Sequence, residues 1–242
     1  MEKITSLQNQ KIKDLKKLNE KKYRDRTKTF LVEGYHILSE LKDSELLVEV
    51  FVREGCKVDS WVSKYIEISS HIADSISKTS SNSDVFAVVK YPEIKSKKHN
   101  KVIICDGIQD PGNLGTIIRT AYSFGVDAIY CSEACVDFYN DKVLRATQGA
   151  LFHIYTERTN LVNKIIELKT QGLKVYGTDV HGGKEMTTFG NIPCALVLGN
   201  EGDGVSKEVL AECDEKIYIQ TTNFESLNVA IACGILCHYF KA

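Results

Sequence analysis

In the second half of the chain, short apolar runs alternate with helix-like stretches, and this alternation narrows the fold more than any other feature. Val102-Ile103-Ile104-Cys105 is apolar throughout, the pattern of a strand buried on both faces. Residues 114–124 read as a helix stopped by Gly125, 127–131 as a strand and 141–149 as a short helix. A strand over 150–155 follows, then a helix over 161–171 stopped by Gly172. Strands over 174–178, 195–198 and 216–220 lead to a closing apolar helix over 227–240, on which Ile231, Ile235, Leu236 and Tyr239 are expected to share a face. The pattern predicts an α/β fold with a parallel sheet covered on both faces and ligands beyond the carboxyl ends of its strands.

The first half predicts a smaller α/β unit. Residues 6–23 read as one helix capped by Ser6, with Ile12, Leu15 and Leu18 as its apolar stripe. Phe30-Leu31-Val32-Glu33-Gly34 suits a short strand or turn, 35–41 and 72–76 helices, and 48–53, 66–69 and 85–90 strands. The polar stretch 91–100 opens with Tyr91-Pro92 and reads as a linker, which places domains at 1–94 and 100–242.

A formal net charge of −1 excludes a chain that is basic throughout, so any nucleic-acid surface must be local. Residues 1–28 carry ten basic and four acidic side chains, Lys13, Lys16, Lys17, Arg24 and Arg26 among the basic ones. A second basic run holds Lys95, Lys97, Lys98 and Lys101. A solvated helix face and a charged linker account for both runs as readily as RNA does. No apolar run approaches the roughly 20 residues that span a bilayer, and the first residues lack a signal-peptide core, so a cytoplasmic protein with no membrane partner is expected. The eight cysteines include no C-x-x-C pair, so buried thiols are expected and no metal.

Three segments have the composition of a ligand site. Asp106 to Ala121 leaves a strand, turns through Pro111 and Gly112, and enters a helix with Asn113 as its expected cap. Arg119 lies almost two turns in, among apolar neighbours, where a structural ion pair is one reading. Ala195 to Ser206 runs from a strand into a loop with Gly199, Gly202 and Gly204 beside Glu201 and Asp203. Two acids and no following Lys-Ser/Thr argue against a phosphate cradle, so the loop suits a neutral or cationic ligand, though an ordinary strand-to-helix turn has the same composition. Ile217 to Ala230 leads through a polar loop to Ser226 or Asn228, either of which can cap the last helix.

Together, D-P-G-N-L-G-T-I-I-R-T-A, L-V-L-G-N-E-G-D-G-V-S and S-L-N-V-A-I-A resemble the SpoU (TrmH-like) branch of the SPOUT RNA methyltransferases, over residues 100–242. Phe30 to Gly34 is similar to the opening of the substrate-binding domain that precedes many of these enzymes. Leu144-Arg145-Ala146 and Gly149-Ala150-Leu151 are similar to the family's R-A-S-x-G-A-L, from which Thr147-Gln148 depart. The resemblance implies a deep trefoil knot, homodimers formed through the catalytic domain, and methyl transfer from S-adenosylmethionine to a ribose 2′-hydroxyl of ribosomal or transfer RNA. It assigns the catalytic set to Asn113, Arg119, Glu201, Ser226 and Asn228, and donor contacts to Thr178, Leu198, Gly199, Gly202, Ile219, Leu227, Asn228 and Ala230. It leaves RNA grip to Lys13, Lys16, Lys17, Arg24 and Arg26. Arginine holds its proton far above neutral pH, so the role expected of Arg119 is to bind the adjacent phosphate and stabilise the developing alkoxide, with Asn113 and Glu201 fixing it. An RNA-binding homologue without activity is the alternative in another class. A nicotinamide dehydrogenase is a third reading, and the chain lacks its G-x-G-x-x-G fingerprint.

Overall fold

The computed structural model describes residues 2–78, 83–95, 99–223 and 226–240. Its elements run β1 (Glu2–Ile4), α1 (Gln10–Lys17), α2 (Lys21–Thr27), β2 (Thr29–Glu33), α3 (Tyr35–Ser39), β3 (Leu47–Arg53), β4 (Ile66–Ile68), α4 (Ser70–Ile76) and β5 (Val85–Lys90). They continue with β6 (Lys101–Cys105), α5 (Pro111–Ser123), β7 (Ala128–Cys131), α6 (Asp141–Thr147), β8 (Tyr155–Arg158), α7 (Leu161–Thr170), β9 (Lys174–Thr178), β10 (Lys184–Glu185), β11 (Cys194–Leu198), α8 (Lys207–Glu212), β12 (Glu215–Tyr218) and α9 (Val229–Tyr239). The chain forms two units, Met1–Glu93 with Tyr139–Gly149, and Ile94–Phe138 with Ala150–Ala242.

The first unit is built on a five-stranded sheet of order β1-β4-β3-β5-β2, parallel among β1, β4 and β3 and antiparallel at β5. Ile12 and Leu15 of α1 and Ile72, Ala73 and Ile76 of α4 close one core with Phe51, Ile66, Ile68 and Phe86. The single helix expected over 6–23 is two. Asn9 caps α1, the helix ends at Leu18, and the Arg24 guanidinium, reaching back from α2, takes the carbonyls of Leu18 and Asn19 at 2.8 and 2.9 Å. Those carbonyls would otherwise be the orphan acceptors of a helix end. The segment Tyr139–Gly149 completes this unit. Tyr139 stacks on Tyr91 at 3.9 Å and lies 4.8 Å from Phe30, and Arg145 of α6 reaches Glu33 of β2 at 3.4 Å.

The second unit holds a seven-stranded sheet of order β10-β12-β9-β11-β6-β7-β8, parallel at every pairing. All residues of β6 and β11 are buried, as the apolar runs Val102–Cys105 and Cys194–Leu198 require. Alternate residues Val102, Ile104, Ala195 and Val197 pack against Leu161, Ile165 and Leu168 of α7 and Val209 of α8. α5 and α9 pack on each other, and Phe240 stacks on Tyr176. The strand expected over 150–155 is instead a tight turn of helix at Ala150–Phe152 followed by β8, and α8 is a further helix that the apolar pattern does not predict. On α9 the buried residues are Val229, Ala230, Cys233, Leu236 and Cys237, while Ile231 is 57% exposed, so Ile231 and Leu236 do not share a face. No helix among the described residues is long and apolar enough to cross a membrane.

Candidate active site

The strand order sets β6 beside β11 and β11 beside β9, so the loops that follow these strands leave one edge of the sheet together. Asp106 takes over from β6 by donating its amide to the Leu198 carbonyl at 2.8 Å, and its carboxylate accepts the Ser206 amide at 2.9 Å. Gly107 then turns at φ +72°, a conformation that glycine adopts without strain. The turn is braced from below. Gly107 donates to Ser132 Oγ at 2.9 Å, Ile108 donates to Cys135 Sγ at 3.2 Å, and Cys135 donates to the Cys105 carbonyl. A hydrogen bond with Cys131 and burial push the Cys135 thiol far above its usual range, which keeps it a neutral donor. Cys105, Cys131, Cys194, Cys233 and Cys237 are also buried free thiols, whereas Cys56 and Cys213 are half-buried.

The cap of α5 is Asp110, whose Oδ1 accepts the Asn113 amide at 2.7 Å, with Pro111 in the first turn. Asn113 is the cap expected from sequence; with Asp110 in that role, the Asn113 side chain has other partners. Its Nδ2 donates to Glu201 Oε1 at 3.0 Å, and its Oδ1 accepts from Asn228 Nδ2 at 2.9 Å. One residue from each of the three sequence segments therefore meets in a single hydrogen-bonded chain. Asn228 also caps α9 with its Oδ1, which accepts the Ala230 and Ile231 amides. Ser226 lies two residues ahead of that cap and is exposed.

Arg119 is not part of this chain. It sits six residues beyond Asn113, which on an α-helix is a rotation of about 240° and a rise of about 9 Å. Its side chain is exposed on the side of α5 that also carries Tyr122, and among the described residues its guanidinium has no hydrogen bond or ion pair. Neither the structural ion pair nor fixation by Asn113 and Glu201 is present within one chain.

The expected donor contacts lie on the loops after β9, β11 and β12. Thr178 ends β9 and donates its hydroxyl to the Val197 carbonyl at 2.8 Å. Leu198 is buried at the end of β11. At Gly199 a Cβ would lie 2.1 Å from backbone atoms of Gly204 and Val205, so no side chain fits. Gly202 donates to Asn200 Oδ1 at 2.8 Å. Ile219 is half-buried just past β12, Leu227 is 37% exposed, and Ala230 is buried in the first turn of α9.

Sequence reasoning passes over Asp106, Asp110 and Asn200, which hold the loops together, because caps and loop latches have no periodicity to read. Within the first unit, Lys13 is exposed, Lys16 is half-buried, and Lys17 is half-buried and pairs with Asp14 at 2.7 Å. Arg26 lies 4.9 Å from the centre of the Tyr23 ring, with Lys22 at the same distance. Arg24 is buried and committed to carbonyls, so it is not the surface phosphate ligand expected of it. Of the second basic run, Lys101 is buried with its ammonium on the Ile192 carbonyl at 2.8 Å, and Lys97 and Lys98 lie outside the described residues.

The profile of the SpoU rRNA Methylase family matches residues 100–238, and that of the MRM3-like substrate binding domain matches residues 9–87. The chain belongs to the SpoU rRNA methylase family. It is 39% identical to the 23S rRNA (guanosine(2553)-2'-O)-methyltransferase RlmP of Bacillus subtilis, over the full length of both chains. A TrmH-family putative RNA methyltransferase from Porphyromonas gingivalis superposes with a TM-score of 0.84 at 31% identity, covering 98% of each chain. The AdoMet-bound rRNA methyltransferase of Sinorhizobium meliloti does so with a TM-score of 0.85 at 27% identity, covering 99% of this chain and 97% of the other. This SpoU methylase is an S-adenosylmethionine-dependent RNA 2′-O-ribose methyltransferase.

The loops suit that donor. Gly199 lets the loop fold back onto its own backbone at Gly204 and Val205, and the acids Glu201 and Asp203 favour a cationic sulfonium over a polyphosphate.

Proposed function

We propose that this SpoU methylase modifies a guanosine ribose of 23S ribosomal RNA in the cytoplasm, working as a homodimer. The observation that carries its chemistry is the chain from Glu201 through Asn113 to Asn228, which holds three loops in one arrangement at the carboxyl edge of the sheet. The choice of RNA rests on the full-length similarity to a 23S rRNA guanosine 2′-O-methyltransferase.

When bound, S-adenosylmethionine supplies the methyl group. Thr178, Leu198, Gly199, Gly202, Ile219, Leu227 and Ala230 would line its loops, largely through backbone. Asn113, Glu201, Ser226 and Asn228 would orient the ribose, and alignment of reacting groups is worth up to roughly 7–11 kcal/mol. Arg119 would bind the neighbouring phosphate and steady the developing alkoxide. Its exposure next to Tyr122, with Leu227 and Ile231 exposed on the loop before α9 and on α9 itself, supports a dimer in which this surface is covered and Arg119 serves the partner's site. The trefoil threading implied by the sequence belongs to the same reading. Lys13, Lys16, Lys17 and Arg26 would hold RNA phosphates without reading sequence.

Mapping 2′-O-methyl marks in total RNA from cells with and without this protein tests the substrate. A guanosine mark in 23S rRNA should vanish in its absence; loss of a transfer-RNA mark instead would reject the ribosomal assignment.

A further inference from the structure

We propose that Asn200 is a positioning residue that latches the donor loop to the loop carrying Gln109 and the start of α5, so that Glu201 meets Asn113. Its side chain spans two loops with opposite ends. Oδ1 accepts the Gly202 and Asp203 amides at 2.8 and 3.2 Å, and Nδ2 donates to the Gly107 carbonyl at 2.8 Å. Two N–H donors on one side and a carbonyl on the other fix which end is which. The Asn200 backbone also exchanges two hydrogen bonds with Gly204, at 2.9 and 3.0 Å, closing residues 200–204 into a ring. Gly107 lies against this latch, since a Cβ there would point at Asn200 Cβ, 3.6 Å away. Glu201 is the next residue, so the direction in which its carboxylate leaves the ring follows from how the ring is pinned. No other natural side chain of this length offers both an acceptor and an N–H donor at neutral pH.

The two ends make separable demands. The Oδ1 end folds the donor loop; the Nδ2 end ties that loop to the turn at 106–110. Asn200→Asp keeps the first and sets a second carboxylate oxygen against the Gly107 carbonyl. Asn200→Ala removes both. The two amides that Oδ1 accepts favour the ionised form of an aspartate introduced here, so near neutral pH its second oxygen is charged and repels the Gly107 carbonyl.

The proposal rests on the methyl-transfer reading, which wild-type turnover with labelled donor and RNA tests by itself. The latch is tested by comparing wild type, Asn200→Asp and Asn200→Ala for donor affinity by calorimetry, for single-turnover rate at about pH 8 relative to wild type, and for amide hydrogen exchange. Asn200→Asp should bind S-adenosylmethionine within about threefold of wild type and lose at least about tenfold in rate at about pH 8. Asn200→Ala should lose rate as well and bind the donor more weakly than Asn200→Asp does. Exchange should quicken at 106–110 in both variants, and at Gly202 and Asp203 only in Asn200→Ala. Wild-type rate in Asn200→Asp, or equally weakened donor binding in both variants, would overturn the latch. So would unchanged exchange at 106–110, even were the wild type inactive on RNA.

Discussion

Asn228 does two jobs with two atoms. Its carbonyl oxygen caps α9, and its amide nitrogen donates to Asn113. Substitution separates them. Asn228→Ala loses the cap and should lower stability by about 1 kcal/mol. Asn228→Ser caps comparably and lacks the amide that reaches Asn113, so it should melt near wild type and still lose about tenfold or more in turnover. Thermal melts paired with a methyl-transfer assay check this, and a serine variant with full turnover would confine Asn228 to capping. The sequence presents both roles as alternatives, and the structure assigns both to one side chain. Other residues are less legible for a definite reason. Asn113 is as good a cap as Asp110 by type, and only the backbone decides which residue stands three positions ahead of the amide that needs an acceptor. Arg24 sits among exposed cations in sequence, but it falls one turn past a helix break, where two carbonyls wait for donors.

Secondary elements are legible where burial imposes a pattern. Strand β11, and β6 from Val102 onward, are apolar at every position because both faces are covered, and their place in a parallel sheet follows from the helices between strands. The break between α1 and α2 is not, since the apolar stripe of Ile12, Leu15 and Leu18 keeps helical spacing up to the break. Nor is the excursion of Tyr139–Gly149 into the first unit, because nothing local marks a segment whose partners lie far away in sequence. The two weaker family marks turn out to be one contact: Glu33, with a side chain only 10% exposed, faces Arg145 of the second mark, and Asp141 holds the same guanidinium at 3.0 Å. Thr147 and Gln148, where the family pattern is left, close α6 on themselves through the carbonyls of Leu144 and Arg145. The loop after β11 is tightly built. Adding a methyl group at Gly199 forces it into the backbone at Gly204 and Val205, so the ring must open. Gly199→Ala should weaken S-adenosylmethionine binding by about tenfold or more, read by calorimetry, with the first unit's melting unaffected. Unchanged affinity would mean that the loop does not shape the donor site.

At the scale of the whole molecule, two surfaces can be tested for partners. On the first unit, charge reversal at Lys13, Lys16 and Lys17 should weaken RNA binding at every sequence and reduce the salt slope by about one for each phosphate no longer neutralised. A slope equal to wild type would make that face a solvated one. On the second unit, the question is where Arg119 acts. Arg119→Ala should keep donor binding and lose most turnover, an outcome expected whether the guanidinium serves its own chain or another. Mixing variants separates the two cases. In a dimer of Arg119→Ala with Asn113→Ala, an arginine acting across the interface leaves one site with both lesions and the other with neither. Random reassociation makes half the dimers mixed, so a pool of two inactive variants should recover about one quarter of wild-type activity. An arginine acting within its own chain leaves every site with one lesion and recovers nothing. The exposed, unpaired guanidinium beside Tyr122 favours the first outcome, because a charge that stabilises a transition state must be brought to it, and the chain itself offers Arg119 no partner among the described residues.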